Sequence, residues 1–332
     1  MNNLENIPQW FWIIYIFIIG ICIGSFLNVA ILRGLKGESF LFNRSKCPNC
    51  ENKLTWYMNI PLFSYMFLKG KCAYCKKSIS IQYPIIELIA GIGFLVAYCV
   101  FGLTLKTLFI CLFFALFIIL SATDIKECVV IDYHTYILAI LALIYSFLNL
   151  GDINGTQAII GAIFGFAFFE IMAWIGKIFA KHRMFGEGDS LIAIGLGAIF
   201  GIKGLIIVIA LSFVIQSISA IPILINNAIK NKKKQLAISY CFVFIGLIFL
   251  FLIKNNQIIQ NDYLYLSFVI LLTVSMLFAL KNILAEIKQK SQNKETQKEF
   301  CLLPFGPALL ISATICIFYL QEIKEYVLSF IA

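Results

Sequence analysis

The chain has 332 residues, 61% of them hydrophobic and only 13% charged, with a mean hydropathy of +0.93. Soluble domains carry about a quarter charged residues, so one or two soluble domains are excluded, and a disordered chain is excluded by the same numbers. Eleven cysteines diluted in this length make no disulfide scaffold, and a net charge of +9 suggests nucleic acid only until the 26 Lys and Arg are placed.

Apolar runs long enough to cross a hydrocarbon core of about 30 Å recur at 10–32, 84–103, 105–123, 133–150, 157–180, 189–202, 204–225, 238–253, 263–280 and 306–332. Backbone groups in lipid must bond within their own segment, so the runs predict helices. The fold expected is an all-α polytopic membrane bundle of about eight to ten spans. The run at 189–202 is short and rich in Gly and Ala, which suits a helix packed closely inside the bundle.

With the N-terminus outside, the cytoplasmic segments are 33–83, 124–132, 177–189, 226–237 and 281–305, and they hold 22 of the Lys and Arg. The outer side keeps four: Lys106, Lys203, Lys254 and Lys324. This asymmetry fixes the expected orientation and accounts for the net charge by the membrane, with no nucleic-acid partner. Arg33 directly follows the first run and no basic residue precedes it, so the run reads as an N-out span rather than a cleaved signal.

The segment 33–83 is long enough to fold by itself. It carries Cys47-Pro-Asn-Cys50 and Cys72-Ala-Tyr-Cys75, each preceded by a lysine and displaced by 25 residues. One Cys-x-x-Cys turn aims two thiolates at a point, and two such turns complete a tetrahedral sulfur site for zinc. So small a loop buries little core, so a structural metal would supply much of its folding energy. The competing reading is a set of redox-active or simply reduced thiols. The other seven cysteines fall mostly in spans and read as small packing residues.

Acids in or beside the membrane are costly and mark function. Glu87 and Glu170 fall within apolar runs. Asp124 closes the third span and Asp189 opens the sixth, both on the cytoplasmic side. Packed together they would form a dyad that cannot ionise twice and so shares a proton. One carboxylate would then activate water as general base while the other hydrogen-bonds the scissile carbonyl as general acid. Glycines 186 and 188 would allow an extended substrate close to the backbone. The bland alternative makes Asp189 a helix cap and Asp124 a solvated helix end, with Asp132 and Glu187 as rival carboxylates.

These residues, with others, resemble the bacterial type IV prepilin peptidases. The resemblance is carried by Gly24-Ser-Phe-Leu-Asn28-Val with Arg33, the Cys-Pro-x-Cys turn, Leu54-Thr-Trp-Tyr-Met-Asn59-Ile-Pro61 and Tyr83-Pro84-Ile-Ile-Glu87-Leu. Asp124, Gly186-Glu-Gly-Asp189 and Pro304-Phe-Gly-Pro307 complete it, over 20–225 and 303–320. Gly-x-Gly-Asp alone also occurs in presenilin-like proteases; the four-cysteine loop separates the two families. The resemblance implies a bacterial inner-membrane aspartic endopeptidase that removes the leader of prepilins or pseudopilins at the cytoplasmic face. It implies catalytic roles for Asp124 and Asp189 and zinc ligation by Cys47, Cys50, Cys72 and Cys75. Methylation of the new N-terminal amine with S-adenosylmethionine is implied too, attributed to the loop region. Glu87 is a candidate for binding or orienting that amine, or else a structural partner of Arg33.

On this reading 1–32 is the first span, 33–83 the zinc domain, 84–225 the catalytic membrane core, 226–302 an insertion with two spans and lysine-rich loops, and 303–332 the last span. The chain departs from the family at Gln82, at Val130-Ile131 before Asp132, and at Leu191, where a lysine is usual. Two other classes stay open from the residues alone. One is a polytopic transporter, although no two-fold repeat is visible. The other is a membrane-tethered zinc ribbon that only binds a partner.

Overall fold

The computed structural model describes residues 8–37, 45–47, 49–180, 183, 185–230 and 304–331. The runs expected at 238–253 and 263–280, with most of the 226–302 insertion, lie outside the described residues. Within them the chain is helical: α1 (Gln9–Gly34), the short α2 (Phe63–Phe67), α3 (Gln82–Phe101), α4 (Leu105–Glu127), α5 (Asp132–Phe147), α6 (Gly155–Ala180), α7 (Glu187–Lys230) and α8 (Gly306–Ile331). Among the described residues there is no strand, only two isolated antiparallel bridges in the cysteine loop. Five helices are long and apolar enough to cross a membrane, and two shorter apolar ones, Asp132–Phe147 and Gly306–Leu320, accompany them. This is a multi-pass membrane protein.

The side chains are arranged as lipid requires. Ile14, Ile18, Ile92, Val96, Ile140, Ile163 and Ile206 point outward and are exposed. Inside, α4 is the central strut. It contacts α1 and α3 on one side and α5 and α8 on the other. The larger core surrounds Phe113, Leu120, Leu138, Phe169, Leu196 and Leu309, which are fully buried. A smaller core ties Leu27 and Ile31 of α1 to Ile86 and Ala90 of α3 and Ile118 of α4. Cys111 and Cys316 are buried packing residues, as expected, whereas Cys22 and Cys99 are exposed.

Helix α7 is two spans. Gly201 sits at φ 64°, ψ −176°, outside the helical region and in the half of φ that glycine tolerates. The chain reverses there. Gly161 of α6 meets both Gly197 and Gly201, and Gly165 meets both Ala193 and Leu205, so the two arms of α7 run past α6 in opposite directions. The Phe185 and Phe213 rings lie 6.4 Å apart, whereas an unbroken helix would separate residues 187 and 213 by about 39 Å. The two runs read from the sequence at 189–202 and 204–225 are these arms.

The reversal fixes which ends meet. Phe305, at the entry to α8, packs on Phe169, Phe185 and Phe213. Val130, before α5, packs on Gly188, and Gly34 at the end of α1 packs on Ile131 and Tyr133. Asn28 donates its side-chain amide to the Tyr83 carbonyl at the start of α3 (3.1 Å). The ends of α1, α4 and α6 and the starts of α3, α5, α7 and α8 therefore gather on one face of the bundle, the face that carries the cysteine loop.

Candidate active site and metal centre

Asp124 lies in the last turn of α4 and Asp189 in the first turn of α7, 6% and 8% exposed. Among the described residues the buried acids are Glu87 and these two aspartates. The other two carboxylates the sequence offers are exposed: Asp132 is on the surface, and Glu187 is 82% exposed and paired with Arg183. Gly306 at the start of α8 lies against both the Asp124 carboxylate and Ile192, one turn past Asp189 on α7, so the two aspartates flank the same helix start.

Each is held by a backbone N–H at a helix start. Gly306, the first residue of α8, donates to the Asp124 carboxylate. A Cβ at position 306 would overlap Asp124 Oδ2, so glycine is what lets this helix end come so near. The N–H of Gly306 is one of the helix's unpartnered donors, and the helix dipole adds a favourable field at the carboxylate. Gly186 donates to Asp189 Oδ2 (3.1 Å). Asp189 is the third residue of α7 and reaches back to the residue before the helix, the return half of a capping box. Asp189 thus does cap its helix, as the bland alternative expects, through one oxygen, but Asp124 is buried rather than a solvated helix end.

A latch on α6 holds the turn that carries Asp189. Glu170 accepts from Ser190 Oγ (2.9 Å) and from the Arg183 guanidinium (2.7 Å), and Arg183 also donates to the Phe185 carbonyl (3.3 Å) and Glu187 (3.1 Å). These contacts tie the turn that presents Asp189 to a neighbouring helix. The sequence signal was an acid inside an apolar run with a basic residue thirteen positions on, but it does not say which turn the pair would hold.

The cysteine loop is built twice. Cys47 and Cys72 N–H groups donate to Asn52 and Lys77 carbonyls, and their carbonyls accept from Glu51 and Lys76 N–H groups. Lys46 bridges to Lys53 and Lys71 to Ser78. Glu51 and Lys76 both turn at positive φ, 56° and 58°. Every feature recurs with the 25-residue displacement seen in the sequence. The Sγ atoms of Cys47, Cys50, Cys72 and Cys75 all lie within 4.8 Å of one another, with Cys47 and Cys75 3.9 Å apart. Zinc–sulfur bonds of about 2.3 Å in a tetrahedron place sulfurs about 3.8 Å apart, so the cluster fits a metal of that kind. Backbone N–H groups of Cys75 and Tyr74 pull the Cys72 thiol down to about 6. At Cys50 the Asn52 N–H lowers the thiol, yet loss of water and the neighbouring sulfurs win and push it up to about 11.

Glu87 is not at the aspartate pair. It is 5% exposed on α3, where its Oε2 accepts the Leu62 N–H (2.8 Å) and the Ser25 side chain also bonds it. Leu62 has φ 60°, a strained conformation for a branched side chain, and Glu87 pins it. With Arg33 it lines a cavity of about 740 Å³ between α1, α3 and the cysteine loop.

The fold and site define a helical membrane protein with two buried aspartates gathered at one face, beside a four-thiol loop that could hold a metal. Two family models match: the bacterial peptidase A24 N-terminal domain over residues 18–101, and the type IV leader peptidase family over 111–221. Similar curated proteins are the prepilin leader peptidase/N-methyltransferases of Vibrio cholerae, Neisseria gonorrhoeae and Myxococcus xanthus. The Vibrio protein is 32% identical over 59% of this chain and 80% of its own length. The Neisseria protein is 32% identical over 61% of this chain and 79% of its own. The Myxococcus protein is 33% identical, with 58% of each covered. No solved structure matches. The chain belongs to the type IV leader peptidase family, which makes it an enzyme and removes the transporter and zinc-only readings.

Proposed function

We propose that this enzyme cleaves the leader from type IV prepilins or pseudopilins at the cytoplasmic face of a bacterial inner membrane, with Asp124 and Asp189 as its catalytic pair. The observation that carries the assignment is that two aspartates 65 residues apart in sequence are buried at one face of the bundle, each fixed by a helix-start N–H. The basic residues favour that face as the cytoplasmic one.

The chemistry follows from the pair. An ionised carboxylate takes a proton from water as its oxygen attacks the scissile carbonyl, while the protonated partner hydrogen-bonds the carbonyl oxygen and later protonates the departing amine. Gly186 and Gly306 hold one oxygen of each carboxylate before substrate arrives, so little reorganisation is left for the reaction. The glycine turn at 186–188 gives an extended chain room against the backbone.

Cys47, Cys50, Cys72 and Cys75 hold a structural zinc in this reading. Four sulfurs leave the ion no open position, so its contribution is to the folding of 33–83. The second activity, methylation of the new N-terminal amine with S-adenosylmethionine, belongs to the same loop region and is supported by the names of the relatives. The reading assigns 84–225 to catalysis. Its test is leader removal from a prepilin by purified enzyme, read by mass spectrometry of the pilin N-terminus. Cleavage at one site, lost in both aspartate-to-asparagine variants, supports the proposal; an active D124N or D189N protein overturns it.

A further inference from the structure

The cysteine loop carries its large apolar side chains on the outside. Phe63, Met66 and Phe67 form one face of α2 and are exposed, while Ser64, Tyr65 and Leu68 form the other and line the cavity behind it. Trp56 and Tyr57, in the single helical turn before α2, are exposed as well. A loop surrounded by water would put these faces the other way round, and an exposed apolar patch of this extent marks a contact surface.

The tether of the loop says what lies against that surface. The Leu62 N–H, between the two aromatic groups, bonds Glu87, which is five residues inside the α3 span, about 7.5 Å below its start. Gly24 packs on the Glu87 Cα and the Ser25 side chain bonds its carboxylate. Ser25 comes nine residues before Gly34, so the same point lies about 13 Å inside the α1 span. The chain therefore leaves α1, folds back alongside both spans, and holds 56–67 at the depth of their end turns rather than above them. At that depth α1 and α3 present Phe26, Ile85, Leu88 and Ile89 outward, as a surface facing lipid does. Charge favours the same occupant. Over 45–81 the chain has Lys46, Lys53, Lys69, Lys71, Lys76 and Lys77 against one acid, Glu51. That excess complements anionic headgroups and repels a second copy of the same loop.

We propose that 56–67 is a lipid anchor: Trp56, Phe63, Met66 and Phe67 enter the lipid–water boundary of the bilayer that α1 and α3 span, and the loop lysines lie among anionic headgroups. Tryptophan and tyrosine suit that boundary because each has an apolar body and one polar tip. The anchor gives a loop without a core a second support, with lipid in place of buried side chains. The proposal rests on the multi-pass fold and needs neither cleavage nor methylation.

The test is depth-resolved fluorescence quenching on the full-length enzyme in nanodiscs of phosphatidylcholine and phosphatidylglycerol. Trp10→Phe, Trp12→Phe and Trp174→Phe together leave Trp56 as the only one of four tryptophans. Lipids brominated near the headgroup end of the chain should quench Trp56 by about half, lipids brominated near the chain end much less, and acrylamide in the water only weakly. Leaving out phosphatidylglycerol should weaken the bromine quenching by about twofold, and unchanged quenching would overturn the headgroup role of the lysines. A benzophenone amino acid placed at position 67, in enzyme that keeps all four tryptophans, should attach to lipid on illumination. Free access of acrylamide to Trp56 with no quenching by lipid overturns the proposal. So does shielding of Trp56 that appears only with added prepilin, shielding that rises with the protein-to-lipid ratio, or attachment of the position-67 label to residues 231–303. Those three results would mean that substrate, a second copy or the insertion covers the patch.

Discussion

The two functional regions on this face of the bundle are built by opposite means. The aspartates sit where helix ends converge on a core with Leu120, Leu196 and Leu309 fully buried. Across the described part of 45–81, by contrast, only Cys47 and Cys72 are buried, and Trp56, Met66 and Phe67 are 79%, 71% and 83% exposed. One region is positioned by packing and the other has no apolar core to position it. Helix-start N–H groups fix the aspartates, whereas the loop is ordered by local backbone bonds, the Glu87–Leu62 bond and a four-sulfur cluster that could hold a metal.

Metal removal should have the largest effect on the loop and the smallest on the helices. Apparent binding energies of structural zinc run about 10–16 kcal/mol, more than a loop without a core can supply. Purified enzyme should hold about one zinc. Chelation, or Cys→Ser at 47, 50, 72 or 75, should make 45–81 sensitive to protease while the helical circular dichroism persists. Because a thiol must lose its proton to bind the metal, and the Cys50 thiol is pushed up to about 11, zinc uptake at neutral pH should release protons, and zinc affinity should fall as pH is lowered. Metal-free, reduced enzyme with a protected loop would contradict the account.

Gly306→Ala probes the packed region in the complementary way. The added methyl overlaps Asp124 Oδ2 and must push the carboxylate or α8 aside. Misplacement of about 1 Å in such a site costs on the order of 100-fold, so kcat for cleavage should drop by 10–100-fold with zinc content unchanged. Glu170→Gln and Ser190→Ala loosen the latch on the Asp189 turn. Each weakens hydrogen bonding worth about 1 kcal/mol, at the part-exposed Glu170 or the buried Ser190, and cleavage should slow by about fivefold. Lys76→Gly should do the reverse in the loop. It relieves a left-handed residue worth about 1 kcal/mol, an effect visible as slower proteolysis of the metal-free loop.

Much of the loop could be read from the sequence, because its order is local. The 25-residue displacement of Lys-Cys-x-x-Cys is a covalent spacing, and the structure repeats it bond for bond. Among the described residues the spans were legible for the same reason, down to the break near Gly201. The aspartates were legible as candidates, since an acid at the edge of an apolar run stands out. What singles out Asp124 and Asp189 from Asp132 and Glu187 was not, because exposure depends on how helix ends converge. The Gly306 contact joins positions 182 residues apart, and the Glu170 latch and the Glu87–Leu62 bond likewise depend on packing rather than periodicity. The resemblance pointed to Glu87, but only the structure shows it anchoring the loop away from the aspartates.

The most direct measurement of the central claim uses Asp124→Asn and Asp189→Asn enzymes, each verified for membrane insertion and zinc content. Leader removal and methylation of a pre-cleaved pilin with labelled S-adenosylmethionine are followed side by side. Activating water needs the carboxylates, whereas methyl transfer needs only an oriented, deprotonated amine. The account predicts cleavage lost by at least about 1,000-fold in each variant, with methylation nearly intact. Retained cleavage in either folded variant, or equal loss of both reactions, would contradict it.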